Sequence, residues 1–227
     1  MKEMLFKCLE KGRRGPFSAF QWPLRKWVKV EGELKVCQNG IHLCTKDNLI
    51  YWLNEEIWET EARGERIESE NKIIVREARL RRKLKTWNEK TARLFACDVA
   101  RRVLPIYEKR YPGDNRPRKA IEAAEKYAEG TITEKELLAS RDAAWIATED
   151  VPWVATRDVA KVAARAATKD AARVATEDAA RVAAWVATEV AVRDVARVAA
   201  RAAARTAAWD AERKWQTKKL MEYLYPK

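Results

Sequence analysis

Histidine is nearly missing from this 227-residue chain: His42 is the only one. A general base would have to be that imidazole or a carboxylate. No Ser-His-Asp, Walker, zinc-protease or dinucleotide-binding pattern occurs. No apolar run approaches the roughly 20 residues of a membrane span. "MKEMLFKCLEKGRRG" lacks the apolar core of a signal peptide. These absences predict a cytoplasmic protein without a membrane partner, whose four cysteines are thiols or ligands rather than disulfides. Glycine is absent after Gly130, and only Pro152 and Pro226 interrupt the chain beyond it. The second half therefore reads as almost purely helical.

Cationic and apolar residues are plentiful. Hydrophobic residues make up 47%, enough for a packed core, and the net charge is +12. Such a charge favours acidic partners, either an acidic protein or nucleic acid.

The predicted fold class is an α+β N-terminal domain, residues 1–80, followed by an all-α, Ala-rich helical array with tetrad repeats, residues 81–227. In the first domain, "WVKVEG" and "ELKVCQNG" read as short strands, with a turn at Asn39-Gly40. "TKDNLIYWLNEEI" reads as a helix capped by Thr45. "WETEARG" alternates and ends at a glycine, and "NKIIVREARL" is the clearest strand. Helix is expected from Arg81 onward, with Leu84, Trp87, Leu94, Phe95, Val99, Val103 and Leu104 near one stripe and a kink at Pro105. Pro117 fits the first turn of the next helix, which Gly130 stops. Thr133 and Glu136 form a capping box.

From Glu149 to Arg213 a charged residue or tryptophan stands at every fourth position. On a straight helix that stripe drifts by about 40° per step, so one long exposed rod has no persistent apolar face. The reading is a packed array of short helices, with candidate breaks at Thr148, Thr156, Thr168, Thr176 and Thr188; the alternative is one or two long helices whose tetrads are a relic of tandem duplication. Trp153, Val162, Val174, Val182 and Trp185 should be buried, and Arg165, Arg173, Arg181 and Arg197 should face solvent.

Three clusters are candidates for binding. Cys37, His42 and Cys44 lie within eight residues, with Cys8 as a fourth conceivable zinc ligand, but no standard pair spacing occurs. A turn with half-buried thiols is expected there, with no metal and no cofactor. Arg79, Arg81 and Arg82 belong to a basic run, Arg79 to Lys85, suited to nucleic acid. Arg116 and Arg118 flank Pro117 at a helix N-terminus, a place that favours anions. No catalytic residue is assigned.

Two stretches carry a resemblance. Cys37, Gly40, Ile41, His42, Cys44 and the "KIIV" strand from Lys72 to Val75 resemble a small domain of unknown function common in phage and prophage proteins. Ala96, Asp98, Ala100, Leu104, Pro112, Arg116-Pro117-Arg118 and Ala120-Ile121-Glu122 are similar to the Imm-5-like immunity-protein helical domain. The resemblance implies a mobile-element or phage setting and a non-catalytic protein-interaction module, of anti-defence or immunity type. Two alternatives stand beside it. One is a nucleotide-binding enzyme of ADP-ribosyltransferase-like type centred on His42, with Glu77 or Glu61 as partner, which is an analogy of fold. The other is a nucleic-acid-binding protein using Arg79 to Lys85.

Overall fold

Apolar residues crowd "LFKCL", "IHLCT" and "KIIV", and an antiparallel sheet buries them in the computed structural model. It describes residues 3–150, 159, 162–163, 182 and 195–226, and side chains outside 148–150 and 195–204. The chain divides into two compact units, residues 1–88 with 221–227, and residues 89–220.

In the first unit, β1 (Leu5–Leu9) lies between β3 (Ile41–Thr45) and β4 (Glu56–Ser69). β5 (Lys72–Lys83) pairs with β4 along their hairpin, and with β3 and the two-residue β2 (Val28–Lys29). Because β5 meets both β3 and β4, the ring β5–β3–β1–β4 closes on itself and protects its edges. Leu5, Leu9, Ile41, Leu43, Trp58, Ile73, Val75, Ala78 and Leu80 form one core cluster with Trp22. The intervening Phe6, Cys8, Cys44, Ile57 and Ile74 are buried as well. Burial on both faces explains why "KIIV" reads as a continuous apolar run.

Several local expectations need correction. The helix expected after Thr45 is a single 3-10 turn, Leu49–Tyr51. Thr45 ends β3, and one turn suffices to bury Leu49 and Ile50. "ELKVCQNG" is a turn, closed by Lys35 N–H to Asn39 O at 2.8 Å. β4 does not stop at Gly64. It continues to Ser69 through a bulge between Arg63 and Arg66, and Gly64 (φ +79°) supplies the required left-handed backbone. Helix does not begin at Arg81, because β5 runs on to Lys83. Tertiary pairing with β4 there overrides helix propensity.

Gly40 is fixed by the core. Its φ is +134°, and a Cβ would land inside Ile74 Cγ2, a side chain with no exposure. Gly40→Ala is expected to cost about 2 kcal/mol through overpacking, read by urea denaturation. A loss below about 0.5 kcal/mol would show that β3 and β5 can part at no cost.

In the second unit, α1 (Glu89–Arg110) passes Pro105 unbroken. Leu84 and Trp87 precede it, so they are not part of its stripe. Phe95, Val99, Val103, Leu104 and Tyr107 are buried along it. α2 (Arg116–Glu129) has Pro117 in its first turn and ends at Gly130 with φ +77°. α3 (Glu134–Asp150) starts at the expected capping box. Thr133 N–H donates to Glu136 Oε2 at 2.8 Å, and Glu136 N–H returns to Thr133 Oγ1 at 3.3 Å. Thr148 lies inside α3, so no helix begins there. α4 spans Val195–Leu224. Val162 and Val182 are buried as expected. Trp153, Val174, Trp185, the four tetrad arginines and the remaining threonine breaks lie outside the described residues or side chains.

Candidate functional site

The arginines singled out as anion-binding groups all have carboxylate partners. Arg79 Nε donates to Glu61 at 2.6 Å, and Arg81 reaches the same carboxylate at 2.9 Å. Arg82 holds Glu59 at 3.0 Å through Nε. These pairs follow from the β4–β5 register, which sets Glu61 opposite Arg79 and Glu59 opposite Arg82. Arg79 also lies over the Trp27 ring, 4.8 Å from its centroid, with Arg63 at 4.1 Å. In the second unit, Arg118 grips Glu108 at 2.7 and 2.8 Å. Arg116 Nη2 binds Asp114 at 2.7 Å, and Asp114 also accepts from the Tyr107 hydroxyl at 2.5 Å. The Arg116 guanidinium and the Tyr107 hydrogen bond hold the Asp114 carboxyl down at about 2. The Asp114 cluster orders the loop before α2, and an incoming anion must compete with it.

His42 sits on β3 opposite Ile74, half-buried. Burial, then the nearby Lys7 and Lys72 ammonium groups, push its imidazole below the ordinary range. Its Nε2 is buried with no hydrogen-bond partner among the described residues. Cys8 and Cys44 are buried, whereas Cys37 is exposed and accepts a hydrogen bond from Lys72 Nζ at 2.9 Å. Among the described residues no three His, Cys, Asp or Glu side chains gather into a metal-ligand set.

Lys7 went unnoticed in the sequence. Its partly buried side chain donates to His42 O at 2.7 Å and lies over the Trp22 ring at 5.3 Å. Burial lowers its ammonium to about 8. Its folded value is depressed, so the charge destabilises the native state at pH 7 and the penalty fades as pH rises through about 8. Lys7→Met is expected to raise stability at pH 7 by about 1–2 kcal/mol, the gain limited by the donor lost to His42 O. The advantage over wild type should shrink as pH rises from 7 to about 9.5. Groups that do not sense Lys7 cancel in that difference, whereas Cys8 and His42, which its charge pulls down, also rise in the variant. Denaturation of both proteins across the range checks it, and a constant difference would refute a buried charge.

The second feature missed is the excursion from Glu10 to Trp27. It leaves the sheet after β1 and returns through buried Trp22, whose N–H donates to Arg13 O at 3.0 Å. Its base is held by Glu56, only 5% exposed. That carboxylate accepts from Gly12 N–H at 3.1 Å, Arg13 N–H at 3.2 Å, Trp58 Nε1 at 2.9 Å and Lys83 Nζ at 2.7 Å. Burial opposes the Glu56 charge, but the donors, led by Lys83 and Trp58, outweigh it and keep the carboxyl below its ordinary range. Gly15 and Phe20 close the tip, where Phe17 is 86% exposed. Phe20 and Leu24 of the same excursion are exposed too, Leu24 where the chain bridges to Leu80 of β5. The available signal was "GPFSAFQWPLRK": apolar residues among turn formers, with neither helical nor strand period.

No described helix is long and apolar enough to cross a membrane. Comparison with curated proteins and with solved structures finds no match. Residues 4–92 match the model of a domain of unknown function (DUF7666). Residues 82–223, well over half of the chain, match the model described as Imm-5 like putative immunity protein. The chain therefore belongs to the family of Imm-5 like putative immunity proteins.

Proposed function

We propose that this chain is a non-catalytic, immunity-type protein-binding module acting in conflict between phage, host or toxin, and that its partner is a protein with an acidic face. The family match over residues 82–223 carries the reading. The net charge of +12 supports an acidic partner. Internal ion pairing of the basic runs weighs against a nucleic-acid comb. The arginines 79, 81, 82, 116 and 118 are engaged by carboxylates within the fold. Burial and two nearby cations disfavour the charged form of His42.

The test is co-expression of the full chain with each protein encoded by the two flanking genes. A stoichiometric complex by size exclusion, with affinity that falls as salt rises, is the expected result. Where the neighbour arrests growth, this chain should relieve the arrest. If neither neighbour binds and growth is unchanged, the reading fails.

A further inference from the structure

We infer that Lys11 to Lys26 is the element that grips the partner, and that the surface it fits is a protein's acidic patch with an apolar recess. The inference rests on the protein-binding reading above and adds where and how contact is made.

Charge is the first observation. Arginines 63, 66, 76, 79, 81 and 82 of the β4–β5 hairpin are all ion-paired. Lys11, Arg13, Arg25 and Lys26 make no ion pair among the described residues. They lie on one short excursion, and Lys11, Arg25 and Lys26 are exposed. Unpaired cations keep their full attraction for an acidic surface.

The second observation is apolar. Phe17 is 86% exposed, Leu24 52% and Phe20 44%, and they stand between the two pairs of cations. Exposed aromatics flanked along the chain by arginine and lysine have the composition of a binding hot spot. Phe17 contributes little to its own core, so burying it requires a recess on another molecule.

The third is pre-organisation. Glu56 fixes the base of the excursion, and buried Trp22, edge-on to Phe20 at 5.6 Å, anchors its return. Four described non-glycine residues have positive φ, and three of them are here: Arg13 (68°), Ala19 (52°) and Arg25 (56°). Such backbone is unfavourable and persists where the surroundings impose one shape. A fixed shape lowers the ordering cost of binding a partner of complementary shape. An anionic bilayer would take the same cations and aromatics, but it reads no shape, so the strained backbone favours a folded protein.

The test uses the full chain, Phe17→Ala, and the double variant Arg25→Glu/Lys26→Glu. The probes are the proteins encoded by the two flanking genes, vesicles with about 30% anionic phosphatidylglycerol, and a duplex DNA of about 20 base pairs. Thermal melting should be unchanged for Phe17→Ala, because the ring lies outside the core. Phe17→Ala should weaken the protein complex by about thirtyfold. Charge reversal should slow association by about tenfold and flatten its salt dependence. A complex that both variants form as tightly as wild type overturns this assignment while the protein-binding reading stands. Absence of any complex with wild type overturns both. Binding of vesicles or DNA that Phe17→Ala abolishes, with the protein complex untouched, would show that the excursion serves a different class of partner.

Discussion

Glu56→Ala should destabilise the protein by about 3–4 kcal/mol, the largest single loss we expect. The variant strands the Trp58 indole N–H and two backbone N–H groups, and leaves Lys83 without its counter-charge. Charge-assisted bonds to one buried carboxylate act together, so the loss should exceed that of an isolated hydrogen bond. Glu56→Gln keeps the volume but not the charge and should lose about half as much. pH supplies an independent signature. The folded carboxyl is depressed, so its stabilisation is complete above the ordinary carboxylate range and disappears as pH falls through the folded value. Wild type should therefore lose more stability on acidification than Glu56→Gln. Parallel acid curves for the two proteins would mean that the charge contributes nothing.

The second large effect lies in the helical unit and depends on which partner is removed. Glu212 is 4% exposed, accepts from Arg102 Nε at 2.7 Å and from Gln216 Nε2 at 3.1 Å. The Arg102 side chain is 40% exposed and lies over the Trp215 ring at 4.5 Å. Removing Arg102 leaves a buried carboxylate short of its cation, whereas removing Glu212 leaves an arginine that can rehydrate. Arg102→Met is expected to cost about 3 kcal/mol, and Glu212→Met about 1–2. The double variant should recover part of the larger loss, because two well-packed apolar groups often replace a buried pair without penalty. A double-mutant cycle in urea measures all three. The reverse order of the single losses would contradict the burial asymmetry.

Local chemistry was legible in the sequence wherever one residue decides the backbone. Pro117 opening α2, Gly130 closing it and the Thr133–Glu136 box all lie where their side chains require. The strand at "KIIV" was legible because its apolar run leaves no other way to bury it. The path of "RLRRK" was not, since its residues are good helix formers and only pairing with β4 makes them strand. The clue was complementary charge: folded about Asn71, Glu59 and Glu61 meet Arg82 and Arg79. A reading by helical period alone passes over it. Lys7 and Glu56 were invisible for a related reason. Their burial arises from segments far apart in sequence, such as β1 beside β4, and no spacing along the chain reveals it. The excursion that carries Phe17 has no period at all.

The N-terminal unit has a further property with consequences for its biosynthesis. Its last piece is residues 221–227, with Leu224 O accepting from the Thr86 hydroxyl at 2.7 Å and the Tyr225 hydroxyl donating to Glu59 at 2.7 Å. A ribosome delivers the five strands first and that piece only after residues 89–220 have followed. During this interval the nascent sheet lacks the contacts of residues 221–227, and a chaperone or protease meets it in that state. Contacts spanning 138 and 166 residues also form late on loop-closure grounds. Completion of the first-made unit thus awaits residues 221–227, and a chain stopped before them lacks these contacts.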